Sequence, residues 1–137
     1  MYKSTCDFSC WVLKSDGRSI YGRIYQKDSL KNNDNILVPL CWDHIHYDPS
    51  SILGSALLED RGDGIYVYCW LNNEDKKEDV MNLIRGKGTV SISPFVNSIK
   101  YDGHIITSGT IREVSLVVSR IDDNELYYPV INKEKKE

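Results

Sequence analysis

Apolar residues are concentrated in several runs of strand length along the chain, and some of these runs show the two-residue period that is typical of β-strands. These runs cover residues 8–14, 19–25, 52–59 and 65–71, and two more lie inside the stretch 88–118. Arg61-Gly62-Asp63-Gly64 separates two of the runs and predicts a tight turn, so we expect residues 52–71 to form a β-hairpin. The pattern as a whole predicts a sheet that is mostly antiparallel.

One segment, residues 73–85, has helical spacing instead. Its apolar residues Val80, Leu83 and Ile84 recur on one side, and Asn73 or the residue before it can cap the N-terminus. Together with the strands, this helix predicts an α+β fold. We expect a small, mostly antiparallel, barrel-like sheet with one or more flanking helices.

Chain length and charge limit the domain organisation and the partners. The 137 residues suffice for one domain but not for two, so we expect a single domain over residues 1–125 and an extended or frayed tail over 126–137. The formal net charge of −3 argues against binding to a phosphate backbone. No apolar run approaches the roughly 18 residues of a membrane span. We therefore predict neither nucleic acid nor membrane as a partner.

The cysteines do not indicate a metal site or a disulfide framework. Cys6, Cys10, Cys41 and Cys69 form no Cys-x-x-Cys pair, and the N-terminus lacks the apolar core of a signal peptide. Buried, reduced thiols in a protein made in the cytoplasm are the expected interpretation. No metal and no organic cofactor is predicted.

The segment 36–44 is apolar but is interrupted by Pro39, which cannot donate a hydrogen bond to a neighbouring strand. We therefore expect an edge strand or an irregular extended segment rather than a central strand. The segment ends in His44. The preceding residues 27–35 are polar and predict a surface loop.

Two polar residues in the stretch 88–118 stand in strongly β-patterned surroundings, Ser91 and Glu113. A serine hydroxyl is a weak nucleophile until a base removes its proton, and a carboxylate can orient a histidine that acts as this base. Ser93 shares a strand face with Ser91, so periodicity does not choose between the two serines.

The histidine that such a site requires has three candidates. His104 follows Asp102-Gly103 in an expected hairpin turn, so an exposed turn position is its expected role. His44 and His46 lie at and just after the end of the apolar segment 36–44, and the pattern does not decide which of them is the base. If Asp102-Gly103 is the two-residue loop of the hairpin, Ser91 lies opposite Val114, and a bulge near Ser108-Gly109 would shift that register by one.

Four short motifs follow one another along the chain. They are Val-Pro-Leu-Cys-Trp-Asp-His at 38–44, Ile-Leu-Gly at 52–54 before the hairpin, Val-Ser-Ile-Ser at 90–93 and Glu-Val-Ser-Leu-Val at 113–117. Their order resembles the prohead (capsid maturation) serine protease family of tailed phages, which is related in fold to the herpesvirus assemblin proteases. The resemblance covers roughly residues 20–120.

The resemblance implies a catalytic triad at matching positions. The histidine of the family corresponds to His44, its serine to Ser91 and its acidic member to Glu113. By analogy with the assemblins, Ser119 and Arg120 are expected to help hold the oxyanion. One departure is visible: the family commonly has Gly-Phe after Ser-Ile, whereas this chain has Ser93-Pro94-Phe95.

The function implied by the resemblance is endopeptidase cleavage of internal capsid-assembly proteins during prohead maturation. The expected substrate is a scaffolding protein or a scaffold segment of the major capsid protein, with capsid and portal proteins and a second copy of the chain as further partners. The expected location is the host cytoplasm, inside the assembling procapsid. One alternative is a catalytically silent copy of the fold that acts in assembly, and another is a binding module that stacks single-stranded nucleic acid on Tyr66, Tyr68 and Trp70.

Overall fold

A curled, mixed half-barrel sheet with a single α-helix makes up the computed structural model of the protein, which describes residues 2–15, 23–45, 47–86, 89–118 and 127–135. The elements are β1 (Phe8–Lys14), β2 (Ile24–Tyr25), β3 (Leu37–Trp42), β4 (Ile52–Asp60), β5 (Gly64–Leu71), α1 (Glu74–Arg85), β6 (Val90–Asp102), β7 (Ile105–Val118) and β8 (Val130–Ile131). Short 3-10 helices cover Lys3–Thr5, Lys31–Asn33 and Pro49–Ser51. The predicted α+β class is confirmed.

The strands follow the order β2-β7-β3-β4-β5-β1-β8, and β6 pairs with β7. Most pairings among the described strands are antiparallel, as the alternating pattern predicts, but β2 and β3 both run parallel to β7. The expectation of a mostly antiparallel, barrel-like sheet is met by a curled half-barrel that also contains two parallel pairs. None of the helices in the described ranges is long and apolar enough to cross a membrane.

Several predicted elements occur where the pattern indicates them. β1 has the predicted bounds, β4 and β5 form the predicted antiparallel hairpin, and α1 begins after its N-cap Asn73. The helix buries Val80 and Ile84 against the core, and the alternate residues of β5 from Ile65 to Leu71 face inward. The described part of the predicted second strand contains β2 at Ile24–Tyr25, and residues 16–22 lie outside the described part of the chain.

The prediction that the segment 36–44 avoids a central position is wrong. β3 pairs with β4 on one side and with β7 on the other. The sheet tolerates Pro39 because this residue pairs only with β4, opposite Ser55, and the parallel pairing with β7 begins one residue later at Leu40.

The register predicted for the β6–β7 hairpin is also wrong. Asp102 pairs with Ile105, so the two-residue turn is Gly103-His104, with Gly103 at a φ of 65°. The register also shifts at three points along the hairpin, between Phe95 and Tyr101. The displaced turn and these shifts together place Ser91 opposite Val117 instead of Val114.

The predicted surface loop before β3 is partly buried. Asn33 is 2% exposed, and its side chain donates to the Gly109 carbonyl (3.1 Å) and accepts from the Ile111 N–H (2.9 Å). This amide therefore takes over backbone hydrogen bonds of β7 beside one of the register shifts. The polar composition of the loop does not reveal that one of its side chains forms hydrogen bonds with the backbone of a distant strand.

Part of the predicted tail is attached to the body of the protein. β8 pairs with β1, and the Asn132 side chain donates to the Cys6 carbonyl (3.0 Å). Lys135 Nζ lies 2.7 Å from Asp7 Oδ1, and the other oxygen of this buried carboxylate accepts from the Leu71 N–H. All four cysteines are buried and free, as predicted.

Gly54 of β4 is expected to be essential for close packing of the β3–β4–β5 region. A Cβ atom at this position would lie 1.8 Å from the Trp70 carbonyl oxygen, which is backbone and cannot move aside. We expect Gly54→Ala to lower the free energy of unfolding by roughly 3 kcal/mol, measured by urea denaturation.

Gly103→Ala is the matched control. A Cβ at Gly103 meets no atom within 4 Å, so only the positive φ is unfavourable, and the expected loss is about 1 kcal/mol. Equal losses for the two variants would contradict the close approach at Gly54.

Candidate active site

One face of the β6–β7 hairpin carries a row of buried polar side chains. Ser93 pairs directly with Ser115, and Phe95 pairs with Glu113, so their side chains point to the same side of the sheet. Ser91 lies one strand repeat further along β6. Ser91, Ser93, Glu113 and Ser115 are each at most 1% exposed. Four buried polar residues on one face need hydrogen-bond partners, and three of the four have them.

His44 reaches this row from the end of β3. The parallel pairing places Trp42 beside Leu116, and the Asp43 N–H then donates to the Leu116 carbonyl (2.9 Å). The chain turns sharply here: Asp43 and His44 have φ values of 52° and 59°, and the Ile45 N–H donates back to the Trp42 carbonyl (3.0 Å). Positive φ at both central residues is the arrangement of a type I′ turn, which is unfavourable for most side chains and is concentrated at functional sites.

The turn places the imidazole of His44 between the carboxylate and one serine. His44 Nδ1 is hydrogen-bonded to Glu113 Oε1, and His44 Nε2 lies 3.0 Å from Ser93 Oγ. The side chain of His44 is 34% exposed, whereas that of Glu113 is 2% exposed. The imidazole therefore bridges a buried carboxylate and a serine hydroxyl.

The partners of the imidazole assign its protonation. An ionised carboxylate only accepts hydrogen bonds, so the proton of the neutral ring belongs on Nδ1, where it is donated to Glu113. The lone pair of Nε2 is then directed at the Ser93 hydroxyl, which donates to it. This is the tautomer that a histidine needs in order to accept a proton from serine.

The carboxyl group of Glu113 is held in its ionised form. Burial by itself would raise its pKa, but hydrogen bonds with His44, Cys41 and Ser115 and the attraction of His44 outweigh burial and keep this pKa below the ordinary value. The charge is thus present where the imidazolium form of His44 would need it.

Two residues that support Glu113 carry no role in the sequence-based prediction. The Ser115 hydroxyl donates to Glu113 Oε2 (2.9 Å) and accepts from the His44 backbone N–H (3.0 Å). The Cys41 thiol is also hydrogen-bonded to Glu113, and burial followed by this carboxylate raises the pKa of Cys41 to about 12. The spacing of Ser115, two residues after Glu113 on the same face, is the signal that could have identified it.

The structure corrects the expected pairing of serine with histidine. Ser93, rather than Ser91, is hydrogen-bonded to His44, whereas Ser91 Oγ is buried without a hydrogen-bond partner among the described residues. The physical reason is the register, which places Ser93 opposite Ser115 and therefore beside His44. Successive side chains on one strand face are about 7 Å apart, so only one of the two serines can reach the same imidazole nitrogen.

The structure leaves three of the other residues named in the sequence analysis untested. His46, Ser119 and Arg120 lie outside the described residues. His104 occupies the β6–β7 turn and is exposed, as predicted. No group of three or more side chains that could bind a metal occurs within the described ranges.

Comparisons with known proteins do not assign the chain to a family. No protein-family model matches it, and no curated protein and no solved structure matches it either. The resemblance to prohead proteases therefore stays a prediction.

Protonation of Glu113 is expected to weaken the fold. Because its pKa lies below the ordinary value of 4.5, the ionised form stabilises the native state, and this stabilisation is lost as the pH falls through the lowered pKa. We expect the wild type to be more stable than Glu113→Gln at neutral pH, with a difference that shrinks as the pH falls below 4.5. Urea unfolding of both proteins across this pH range measures the difference.

Glu78→Gln serves as the control, because the Glu78 side chain is 79% exposed on α1 and exposed ion pairs contribute little to stability. Its stability relative to wild type is expected to change little over the same range. A wild-type advantage over Glu113→Gln that stays constant from neutral to acid pH would show that ionised Glu113 does not support the fold.

Proposed function

We propose that the protein is a serine hydrolase in which Ser93 is the nucleophile, His44 the general base and Glu113 the residue that orients His44. The observation that carries the proposal is the continuous contact from Ser93 Oγ through the imidazole to Glu113, with 3.0 Å between Ser93 Oγ and His44 Nε2. Nucleophile, base and orienting carboxylate within hydrogen-bond reach are the recognised arrangement for acyl transfer by serine.

In this mechanism Ser93 Oγ forms a bond to the substrate carbonyl carbon while its proton passes to His44 Nε2. Glu113 stabilises the resulting imidazolium through Nδ1. When the tetrahedral intermediate collapses, His44 gives this proton to the leaving nitrogen and the C–N bond breaks. A water molecule then attacks the acyl carbon while its proton passes to His44 Nε2. The bond between this carbon and Ser93 Oγ breaks, and His44 returns the proton to Ser93 Oγ.

Within this class we propose an endopeptidase that cleaves internal capsid-assembly proteins during phage prohead maturation. The support is the order of the four sequence motifs, together with a histidine and a carboxylate at the positions that the resemblance implies. The proposal differs from the family pattern in its nucleophile, because the resemblance points to Ser91 and the hydrogen bond with His44 is made by Ser93.

One observation favours a second candidate, an assembly protein that does not cleave peptides. Ser93 is only 1% exposed, so a substrate carbonyl reaches it only after neighbouring groups move. In a protease, these neighbouring groups would move aside when a substrate binds. In a silent copy of the fold, the same burial would be permanent.

The nucleic-acid alternative finds little support in the side chains it requires. Trp70 is 6% exposed, and its Nε1–H donates to Thr5 Oγ1 (2.9 Å). Tyr68 is engaged by Glu59 and Arg61 through its hydroxyl. Stacking of successive bases needs aromatic faces that are open to the ligand, which Trp70 does not offer.

Cleavage of peptide bonds can be tested without knowledge of the substrate. The purified chain is incubated with a library of peptides made from a whole proteome, and new N-termini are identified by mass spectrometry. We expect wild type to generate a consistent set of new termini, and Ser93→Ala to lose this activity by a factor of at least about 10³.

Ser91→Ala is the matched control, since it removes a neighbouring buried hydroxyl that has no partner among the described residues. It is expected to retain the activity of wild type. Loss of cleavage in Ser91→Ala but not in Ser93→Ala would show that Ser91, and not Ser93, is the nucleophile. Absence of cleavage by wild type, both purified and in assembling particles, would favour the silent assembly protein.

A further inference from the structure

We infer that Ser115 is a positioning residue of this site, whose hydroxyl ties the backbone of the His44 turn to the Glu113 carboxylate. The effect of Ser115 on catalysis rests on the proposed function, but its role in holding His44 and Glu113 together does not. Ser115 touches neither the Ser93 hydroxyl nor the imidazole ring through a hydrogen bond that the structure describes, so its effect on the reaction passes through other residues.

The hydrogen bonds of Ser115 have a definite direction. Its hydroxyl donates to Glu113 Oε2 (2.9 Å), because the ionised carboxylate can only accept. The same oxygen accepts from the His44 backbone N–H (3.0 Å). Ser115 is 0% exposed, so water does not replace these partners. One buried hydroxyl therefore links the main chain of the base with the side chain of its orienting carboxylate.

The first consequence concerns the backbone of His44. Asp43 and His44 both have positive φ values, a conformation that persists only where surrounding contacts hold it. The Ser115 hydroxyl holds the N–H of His44 itself, next to the Cα atom from which the imidazole departs. Loss of this bond would allow the turn to relax and the ring to move away from Ser93.

The second consequence concerns the carboxylate. The terminal torsion of a glutamate has a broad energy profile, so a single partner does not fix its plane. Glu113 uses Oε1 for His44 and Oε2 for Ser115, and these two contacts together define the orientation of the group. Ser115 thus keeps Oε1 directed at Nδ1 of the imidazole.

The direct test is the NMR signal of the His44 Nδ1 proton, observed in protein labelled with ¹⁵N-histidine. In wild type we expect a strongly downfield resonance, because this proton is shared with a buried carboxylate. In Ser115→Ala we expect the resonance to move upfield and to broaden through exchange with water, whereas Ser91→Ala is expected to retain it. This measurement needs no substrate and does not depend on whether the protein cleaves peptides.

A kinetic test measures whether Ser115 also affects the reactivity of the serine. The probe is an aryl fluorophosphonate, which labels an activated serine, and the rate of labelling is measured. We expect Ser115→Ala to lower the maximal labelling rate roughly tenfold, as for loss of one hydrogen bond to a charged group, with little change in the probe concentration for half-maximal rate. In a Glu113→Gln background the same substitution is expected to have a clearly smaller effect, because the contact with the carboxylate is already altered and only the hold on the His44 N–H remains.

Ser115→Thr keeps the hydroxyl and suits a strand, so it is expected to retain the resonance and most of the labelling rate. This second variant, with thermal unfolding of each protein, separates lost positioning from misfolding. The inference is overturned if wild type lacks the downfield resonance, if Ser115→Ala leaves it unchanged, or if Ser115→Ala lowers the labelling rate equally in both backgrounds. If wild type shows the resonance but is never labelled, the proposed function fails while the NMR comparison still decides the role of Ser115.

Discussion

The buried charge of Glu113 is the constraint on which the rest of the site depends. An ionised carboxylate that is 1% exposed would be strongly unfavourable without partners. Hydrogen bonds with His44, Ser115 and Cys41 provide those partners and lower its pKa in spite of burial. His44 and Ser115 are also hydrogen-bonded to each other, through the His44 N–H and the Ser115 hydroxyl, so the cluster is a connected network rather than a set of separate pairs.

The topology explains how residues 69 positions apart in sequence meet. β3 runs parallel to β7, and its pairing ends at Trp42 beside Leu116, two residues before His44. The sharp turn that follows folds His44 back over the face of β7 that carries Glu113 and Ser115. The row of polar side chains on β6 and β7 thus maintains the unfavourable backbone conformation of His44, and His44 in turn provides hydrogen-bond partners to that row.

The alternating pattern was sufficient for the elements that depend on local information. β1, the β4–β5 hairpin and α1 are found where hydrophobic period, turn residues and the Asn73 cap predict them. The parallel pairing of β3 with β7 could not be read from the chain, because Pro39 argues against a central strand and only the position of the pairing shows why it is tolerated.

The choice between Ser91 and Ser93 shows most clearly what the sequence pattern cannot predict. Both serines lie on the same strand face, so periodicity alone makes them equivalent, and the family resemblance favours Ser91. Three register shifts and a turn displaced by one residue decide which serine lies opposite Ser115. Such shifts depend on contacts distant in sequence, such as the Asn33 side chain on β7, and no local pattern contains them.

The most direct measurement is a crystal structure of the protein after reaction with a peptidyl phosphonate. We predict a covalent bond from Ser93 Oγ to phosphorus, with His44 still between the adduct and Glu113 and with Ser91 unmodified. A bond from Ser91 to phosphorus, or an intact protein in which neither serine has reacted, would contradict the assignment of Ser93 as the nucleophile.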